Sequence, residues 1–287
     1  MRALIFGTTG QVAAELRRRA PAGADVTALG RDKADLTRPA ACAAAIAGHG
    51  ADLVINAAAY TAVDKAEEEE PLATVINADA PAAMARAAAE LGVPFCHVST
   101  DYVFDGSGDA PWRTGDPTAP LGAYGRSKLA GECGVLRAGG THAILRTSWV
   151  FSALGSNFVK TMLRLAETRS RLTVVADQVG GPTAAADIAD ALWTIGTGLM
   201  DGAKGGTYHF SGAPDVSWAD FAREIFAQAG RAVEVVDIPG SGFPSPARRP
   251  SNSRLDCTEL ETEFGLKRPD WRQSLAEVLA DLKEAAV

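Results

Sequence analysis

Short hydrophobic runs alternate with alanine-rich, helix-forming stretches through the first half of the chain. The runs are apolar at successive positions, whereas a strand with one face in water would alternate apolar and polar residues. Strands buried on both faces and separated by helices predict a doubly wound α/β domain of the Rossmann type, with a parallel sheet. The predicted strands lie at residues 3–6, 25–29, 53–56, 94–99 and 143–146, and the predicted helices end near residue 19 or span 39–47 and about 71–91.

The second half of the chain has a less regular pattern. It predicts helices at 157–167, 187–194, 218–229 and 271–283, a strand at 172–175 and a loop at 178–183. Because no linker rich in Gly, Ser or Pro separates the halves, we expect interleaved units. We assign residues 1–150 to an NAD(P)-binding Rossmann domain. Residues 151–287 mainly form a smaller substrate-binding lobe, with some segments returning to the first domain.

The first predicted strand runs directly into Gly7-Thr-Thr-Gly10-Gln11-Val12-Ala13. Glycines at such a turn let the backbone approach a pyrophosphate, and the following helix offers its free N–H groups and dipole to the anion. The same glycines would suit a turn that only starts a helix, but the strand before and the helix after favour nucleotide binding. Ala13 replaces the usual third glycine at a close helix–strand contact.

Two further strand ends bear on the cofactor. The third strand ends in Asn56 followed by three alanines, whose small side chains leave room for a flat cofactor, although Asn56 would also suit a helix start. The second strand ends in Gly30-Arg31, so no carboxylate opposes an adenosine 2′-phosphate and the Arg31 guanidinium can pair with one. We therefore predict NADPH. NADH is the alternative if the Asp32 carboxylate reaches the ribose. If Arg31 instead stacks on the adenine, it favours neither cofactor.

A proton-transfer site is predicted at the end of the fourth strand and in the next helix. Thr100 ends the strand segment, and Tyr124 and Lys128 lie four residues apart, on one face of a helix. A phenol has a pKa of about 10, so a nearby ammonium is needed to stabilise its phenolate. Thr100 can hold a substrate oxygen against Tyr124, as carbonyl reduction requires. A solvent-exposed helix that carries Tyr and Lys by chance would show the same spacing.

Charge and composition exclude several classes of partner. The 287 residues are 47% hydrophobic and 22% charged, as in a soluble globular enzyme, and 28 basic against 35 acidic residues give a net charge of −7. This balance argues against nucleic acid or an anionic membrane as partner. The four cysteines form no CxxC motif, the four histidines have no metal-ligand spacing, and no apolar run approaches a membrane span. We expect a cytoplasmic protein.

Two charged segments have alternative interpretations. Residues 67–70 are four consecutive glutamates, which we interpret as a solvated helix entry without a catalytic role. Residues 246–254 carry three arginines within seven positions and two prolines that restrict the backbone. Arg249 is our candidate for bidentate pairing with a substrate diphosphate, and an exposed loop is the alternative. Trp149 follows the fifth strand and either shapes a substrate pocket or packs in the core.

Eight segments, in order along nearly the whole chain, resemble the dTDP-4-dehydrorhamnose reductase family of extended short-chain dehydrogenases/reductases. The glycine turn and YxxxK spacing are common to the superfamily, whereas STDYVF, TSWVF and DQVGxPT are more particular to this family. The segments are GTTGQVA, NAAAYTAVDKAE, VSTDYVFDG, YGRSKLAGE, RTSWVF, NFVKTMLRLA, DQVGGPT and RRPSNSRLD.

The resemblance implies a nicotinamide cofactor, a nucleotide-sugar substrate and a role for each matching residue. Tyr124 would donate the proton, and Lys128 would adjust the pKa of Tyr124 and hold the nicotinamide ribose. Thr100 replaces the serine of many superfamily members. The implied cofactor residues are Gly10, Gln11, Val12, Asp35, Leu36, Ala59, Tyr60 and Thr61, to which the glycine-turn argument adds Gly7. The substrate residues are Thr100, Asp101, Tyr124 and Trp149, to which we add Asn157 and Arg249.

Some relatives are metal-bridged dimers, and only Glu15 matches the glutamates involved. We therefore assign no metal-binding residue, leave Mg²⁺ open, and expect a monomer or homodimer.

The predicted activity is NADPH-dependent reduction of the C4 ketone of a dTDP-linked 6-deoxyhexulose to dTDP-L-rhamnose. One alternative is another nucleotide-sugar reductase or epimerase of the same fold. The other is a non-catalytic cofactor-binding regulatory subunit, against which the Thr100, Tyr124 and Lys128 set argues.

Overall fold

The structure is a computed structural model that describes residues 1–243 and 245–285. Its strands are β1 (Arg2–Phe6), β2 (Asp25–Leu29), β3 (Leu53–Asn56), β4 (Phe95–Thr100), β5 (His142–Thr147), β6 (Val150–Phe151), β7 (Arg171–Val175), β8 (Val179–Gly180), β9 (Thr183–Ala184), β10 (Gly206–His209), β11 (Val216–Ser217), β12 (Glu234–Ile238) and β13 (Asn252–Ser253). Its α-helices are α1 (Gln11–Arg18), α2 (Pro39–His49), α3 (Val63–Ala66), α4 (Glu70–Thr74), α5 (Ala80–Glu90), α6 (Ala123–Ala138), α7 (Phe158–Ala166), α8 (Ala185–Met200), α9 (Trp218–Ala229), α10 (Thr258–Phe264) and α11 (Trp271–Glu284).

A six-stranded parallel sheet in the order β10-β5-β4-β3-β1-β2 forms the centre of the molecule. One face packs on α1 and α8, and the other packs on α2, α5 and α6. Residues 3–6 and 53–56 are fully buried, as uninterrupted apolar runs require. The predicted doubly wound α/β class is confirmed. Because the strands are parallel, their carboxyl ends meet at one edge, where ligands bind in such folds.

Several elements differ from the sequence prediction. The predicted helix at 71–91 is interrupted by a π-helical turn at Val75–Asp79, and the sixth strand of the sheet, β10, was not predicted. The segment predicted as a loop at 178–183 contains β8 and the start of β9. Each of these two strands has only two residues and pairs with a distant segment, so no local hydrophobic pattern marks it.

The remaining strands form small sheets, with orders β11-β8-β13, β12-β7 and β6-β9. They pack with α7, α9 and α11 around a third core that is rich in aromatic side chains. Strand β13, within the arginine-rich segment at 246–254, pairs with β8, and the Asn252 backbone N–H donates to the Gly106 carbonyl at 3.1 Å. This bond connects the segment to the loop that follows β4 of the main sheet.

Candidate active site

A cavity of about 760 Å³ opens at the carboxyl edge of the central sheet. Its volume lies within the range of small-molecule and cofactor sites. The segments that follow β1, β2, β3, β4 and β5 all contribute to its wall. The predicted site residues that line it are Gly7, Gly10, Gln11, Val12, Arg31, Asp35, Leu36, Ala59, Tyr60, Thr61, Thr100, Asp101, Tyr124 and Trp149.

The glycine turn between β1 and α1 has the geometry of an anion-binding loop. Gly7 has a φ of +114°, and a Cβ there would lie 3.0 Å from the Cβ of Ala13, so glycine is required at this position. No side chain caps the start of α1, and Gly10, its N-cap, lines the cavity. The N-terminal N–H groups of α1 are therefore available to a phosphate.

Arg31, Asp35 and Leu36 form the end of the cavity wall beyond β2. The backbone N–H of Thr37 donates to Asp35 Oδ1 at 2.9 Å, and this bond, helped by the charge of Arg31, lowers the pKa of the Asp35 carboxyl. Arg31 is exposed and lines the cavity, whereas Asp32 lies outside the lining. Asp32 Oδ1 lies close to Gly30, 2.8 Å from where a Cβ would stand, so both the guanidinium and the carboxylate lie near the end of β2.

Tyr124 stands in the first turn of α6, beside Thr100 at the end of β4, and both residues line the cavity. Burial and the charge of Asp101 raise the pKa of Tyr124 to about 12, while the Thr100 hydroxyl acts in the opposite direction. The ring of Tyr102 packs edge-on against Tyr124, with centroids 5.5 Å apart. The phenol therefore keeps its proton at neutral pH and can donate it.

Asp101 is buried beside this pair. Thr100 Oγ1 donates to Asp101 Oδ1 at 3.0 Å, while Oδ2 has no hydrogen-bond partner among the residues that the structure describes. Burial raises the pKa of Asp101 to about 6, against hydrogen bonds from Ser253 and Thr100 that lower it. Because Oδ2 is itself buried, the carboxyl acts on the site by orienting the Thr100 hydroxyl and by its charge beside Tyr124.

The ammonium group of Lys128 takes a different direction from the one predicted. Lys128 is buried outside the cavity lining, and its Nζ donates to the Val98 carbonyl at 2.6 Å and lies 3.4 Å from His97 Nε2. Burial lowers the pKa of Lys128 to about 8, although the charge of Glu132 opposes this effect. In this structure, burial and the charge of Asp101 are the main causes of the raised pKa of Tyr124, and Lys128 is not among the described groups that lower it.

The glutamates at 67–70 lie at the entry to α4, where Glu67 and Glu68 are exposed as the sequence interpretation expected, and they also make specific contacts. Glu67 Oε1 accepts from the backbone N–H of Ala123 at 2.8 Å, which satisfies a free donor at the start of α6. Glu70 accepts two bonds from Arg126, at 2.7 and 2.8 Å. These acids fix the helix that carries Tyr124.

Asn77, in the π-helical turn, joins the cofactor side to the same helix. Its side chain accepts from the Tyr60 backbone N–H at 2.8 Å and donates to the Tyr60 carbonyl at 3.0 Å and to Ser127 Oγ at 3.0 Å. Ser127 Oγ in turn donates to the Tyr124 carbonyl at 2.8 Å. π-Helical turns often occur at functional sites, and this one holds the cofactor-facing loop against α6.

Trp149 lies at the cavity wall after β5, as predicted from its place at a strand end. Its φ of +50° is uncommon for a residue with a side chain. Such a conformation costs about 1–3 kcal/mol and persists only where the surroundings fix it. The conformation of Trp149 is therefore held by its neighbours.

Asn157 and Arg249 lie outside the cavity lining, and their assignment to the substrate stays a prediction. Asn157 caps α7 through Oδ1, and its Nδ2 donates to Gln11 Oε1 at 2.8 Å. Arg249 Nη2 donates to Asp64 Oδ2 at 2.9 Å, and Nη1 donates to Ser245. The arginine is thus oriented by an ion pair beside the site.

Sequence reasoning missed several parts of the lining. Ile76 comes from the π-helical turn, and Gly155 and Ser156 come from the segment before α7. None of these positions belongs to a strand end or a glycine motif. Thr147 and Ser148 could have been found, because Thr147 ends β5 as Thr100 ends β4 and Ser148 follows it directly.

Two other expectations concern metals and membranes. Among residues 1–243 and 245–285, no group of three or more His, Cys, Asp and Glu side chains is placed to hold a metal ion. Glu15 is buried and accepts from Arg18 Nε at 2.8 Å. Within the same ranges, no helix combines the length and apolarity needed to cross a bilayer.

Comparison with known proteins gives consistent results. A family model described as the RmlD substrate binding domain matches residues 1–284. A dTDP-4-dehydrorhamnose reductase of Sinorhizobium fredii is 46% identical over 281 residues, covering 96% of this chain and 95% of its own. The crystal structure of a dTDP-4-dehydrorhamnose reductase from Clostridium acetobutylicum has a TM-score of 0.93 at 37% identity, covering 99% of this chain and 100% of that one. The enzyme of that name from Bacillus anthracis, in complex with NADP, has a TM-score of 0.92 at 34% identity, with 98% and 99% covered.

Proposed function

Because this chain belongs to the dTDP-4-dehydrorhamnose reductase family, we propose that its cavity reduces the C4 ketone of dTDP-4-dehydro-L-rhamnose to dTDP-L-rhamnose with NADPH. The observation that carries the proposal is that Thr100 and Tyr124 lie side by side on the wall of the cavity that the glycine turn also lines. A proton donor and a nucleotide-binding turn in one cavity are what carbonyl reduction by a nicotinamide requires.

The cofactor side of the cavity fits a dinucleotide. The uncapped start of α1 and the turn at Gly7 would hold the pyrophosphate, and Arg31 would pair with a 2′-phosphate. The solved structure of the Bacillus anthracis relative in complex with NADP supports the phosphorylated cofactor. The nicotinamide, when bound, supplies the hydride.

On the substrate side, the chain supplies the proton and the orientation. As the C4 carbonyl gains a hydride, its oxygen gains negative charge, and Tyr124 transfers its phenolic proton to that oxygen to give the alcohol. Thr100 holds the oxygen in place, and Asp101, whose Oδ1 accepts from Thr100 Oγ1, would orient that hydroxyl. The raised pKa of Tyr124 keeps the proton on the phenol until the alkoxide develops.

The test is an assay of NADPH oxidation with a panel of 4-keto sugar nucleotides that differ in nucleobase and in deoxysugar. We expect the dTDP-linked 4-dehydro-L-rhamnose to give the highest kcat/KM and a product with the rhamno configuration at C4. A preference for a different sugar nucleotide would assign the chain to a neighbouring activity. If the protein binds NADPH but no substrate of the panel oxidises it, the interpretation as a regulatory subunit would be supported.

Replacing Arg31 with alanine should lower kcat/KM for NADPH much more than for NADH. A charge-assisted pair to a phosphate contributes roughly 1.5–3 kcal/mol, so we expect a loss of about tenfold or more with NADPH. Steady-state kinetics with both cofactors measure this, with Lys33→Ala as the control because Lys33 is exposed and outside the cavity lining. An equal loss with both cofactors would show that Arg31 stacks on the adenine instead.

Replacing Arg249 with alanine should raise KM for the sugar nucleotide by about tenfold or more and leave the Kd for NADPH unchanged. The ion pair with Asp64 holds the guanidinium beside the cavity, where it can pair with a substrate diphosphate. Arg248→Ala is the matched control, because Arg248 is exposed and adjacent in sequence. If Arg249→Ala and Arg248→Ala have the same KM as the wild type, the segment is only a surface loop.

A further inference from the structure

Two indole rings stack at the junction between the central sheet and the smaller lobe. Trp149 and Trp218 have ring centroids 3.5 Å apart and planes inclined by 10°. Trp149 lines the cavity, whereas Trp218, the first residue of α9, lies outside the lining. Any influence of Trp218 on a ligand in the cavity therefore acts through Trp149.

Trp218 is held from several directions. The strand before it, β11, pairs with β8, and Ser217 caps α9 by accepting from the Asp220 backbone N–H at 3.0 Å and donating to the Asp220 carboxylate at 2.7 Å. The ring of Phe158 packs against Trp218 with centroids 4.6 Å apart. This capping and packing fix the direction of the Trp218 ring.

Trp149, by contrast, has a backbone conformation that it would not adopt without support. Its φ is +50°, and its carbonyl accepts from the Thr183 backbone N–H at 3.2 Å. A Cβ at Gly180 would lie 3.0 Å from Cε2 and 3.2 Å from Nε1 of Trp149, so the absence of a side chain there leaves room for the indole. The Trp149 ring thus lies between the Trp218 ring, which supports it by stacking, and Gly180, which has no side chain that could support it.

We propose that Trp218 is a positioning residue for the substrate, which holds the Trp149 indole as a rigid wall on which the apolar face of a deoxysugar packs. The inference rests on the proposed function, because it takes the ligand to be a 6-deoxyhexulose linked to a nucleotide. Such a sugar presents a methyl group and ring C–H groups, and a flat aromatic ring gives them a large apolar contact surface. A Trp149 ring that was free to change its orientation would present this apolar surface to the sugar only part of the time.

The test compares Trp218→Leu, which removes the stack, with Trp218→Phe, which keeps a flat ring. We expect Trp218→Leu to raise KM for the sugar nucleotide by about fivefold to tenfold with the Kd for NADPH within about twofold of wild type. Trp218→Phe should recover most of the loss. Val278→Ala is the control for the stability of the lobe, since Val278 on α11 is buried in the same core and is not one of the groups that hold Trp218. It should lower the Tm and leave KM unchanged.

A spectroscopic readout separates positioning from activity. The chain has five tryptophans, so 5-fluorotryptophan labelling gives a resolvable ¹⁹F NMR spectrum in which Trp149 is assigned by Trp149→Phe. In the wild type we expect one Trp149 resonance that shifts when dTDP-L-rhamnose is added. In Trp218→Leu that resonance should move toward the position of a solvent-exposed indole and broaden. The shift and broadening of the Trp149 resonance in Trp218→Leu do not depend on which sugar the enzyme reduces. Failure of the proposed function can therefore be distinguished from failure of this inference.

Gly180→Ala gives an independent variant if Trp218→Leu does not fold. Its methyl group would press on Trp149 Cε2 and on Ser253 Cβ, at 3.0 and 2.9 Å, and would leave the Trp218 side chain in place, so it should shift the same resonance and raise the same KM. A Trp149 resonance and a KM that both stay at wild-type values in the folded variants would overturn the proposal. An equal rise in KM in Val278→Ala would also overturn it, because the effect would then come from the stability of the lobe.

Discussion

Replacing Tyr124 with phenylalanine should lower kcat by about 10²- to 10⁴-fold, the usual contribution of a positioned general acid. Tyr124 lies beside Thr100 on the cavity wall, and its pKa of about 12 keeps its hydroxyl protonated at neutral pH. Phenylalanine keeps the ring that packs against Tyr102 and removes only the proton donor. The Kd for NADPH should therefore stay near the wild-type value.

Single-turnover kinetics with saturating NADPH measure this loss at the chemical step. Tyr208→Phe is the matched control, because the Tyr208 hydroxyl donates to the Lys204 carbonyl away from the cavity. It should cost some stability and leave kcat unchanged. If Tyr124→Phe kept the wild-type rate at this step, another group would have to supply the proton, and Asp101 would be the next candidate.

Replacing Arg146 with methionine should lower the free energy of unfolding by about 3–5 kcal/mol, because it leaves a buried carboxylate without its partner. Arg146 on β5 forms two bonds with Glu132 on α6, at 2.9 and 2.7 Å, and the side chains are 6% and 2% exposed. Ser99, next to Thr100, also donates to Glu132 at 2.5 Å. The pair therefore ties α6 to the strands beneath the site.

Denaturant unfolding measures the loss, and Arg2→Met is the control. Arg2 pairs with Asp52 on the surface, with side chains 56% and 43% exposed, so its removal should cost less than about 1 kcal/mol. The double variant Glu132→Leu with Arg146→Met removes both charges and should be more stable than Arg146→Met alone. A single variant as stable as the surface control would mean that water or another group compensates the Glu132 charge.

Five of the six strands of the main sheet, and many cavity-wall residues that follow those strands, could be predicted from the sequence alone. Strands that are buried on both faces must be apolar at every position, so the runs at 3–6 and 53–56 reveal their environment locally. A turn that needs a positive φ must carry glycine, and Gly7 does so. Because parallel strands end at one edge, the hydrophobic pattern alone places the residues at their carboxyl ends, such as Thr100 and Trp149, at the cavity.

The side chains that support these residues can be identified only from the folded structure. Glu67 caps a helix that begins 56 residues later, and Trp218 stacks on a tryptophan from a different element. Lys128 points at Val98 and His97 rather than into the cavity, although its spacing from Tyr124 is that of one helix face. Hydrophobic periodicity and glycine requirements depend on a residue's own backbone and burial. A hydrogen bond or a ring stack depends on the position of a second side chain far along the chain, and that position is set only when the elements pack.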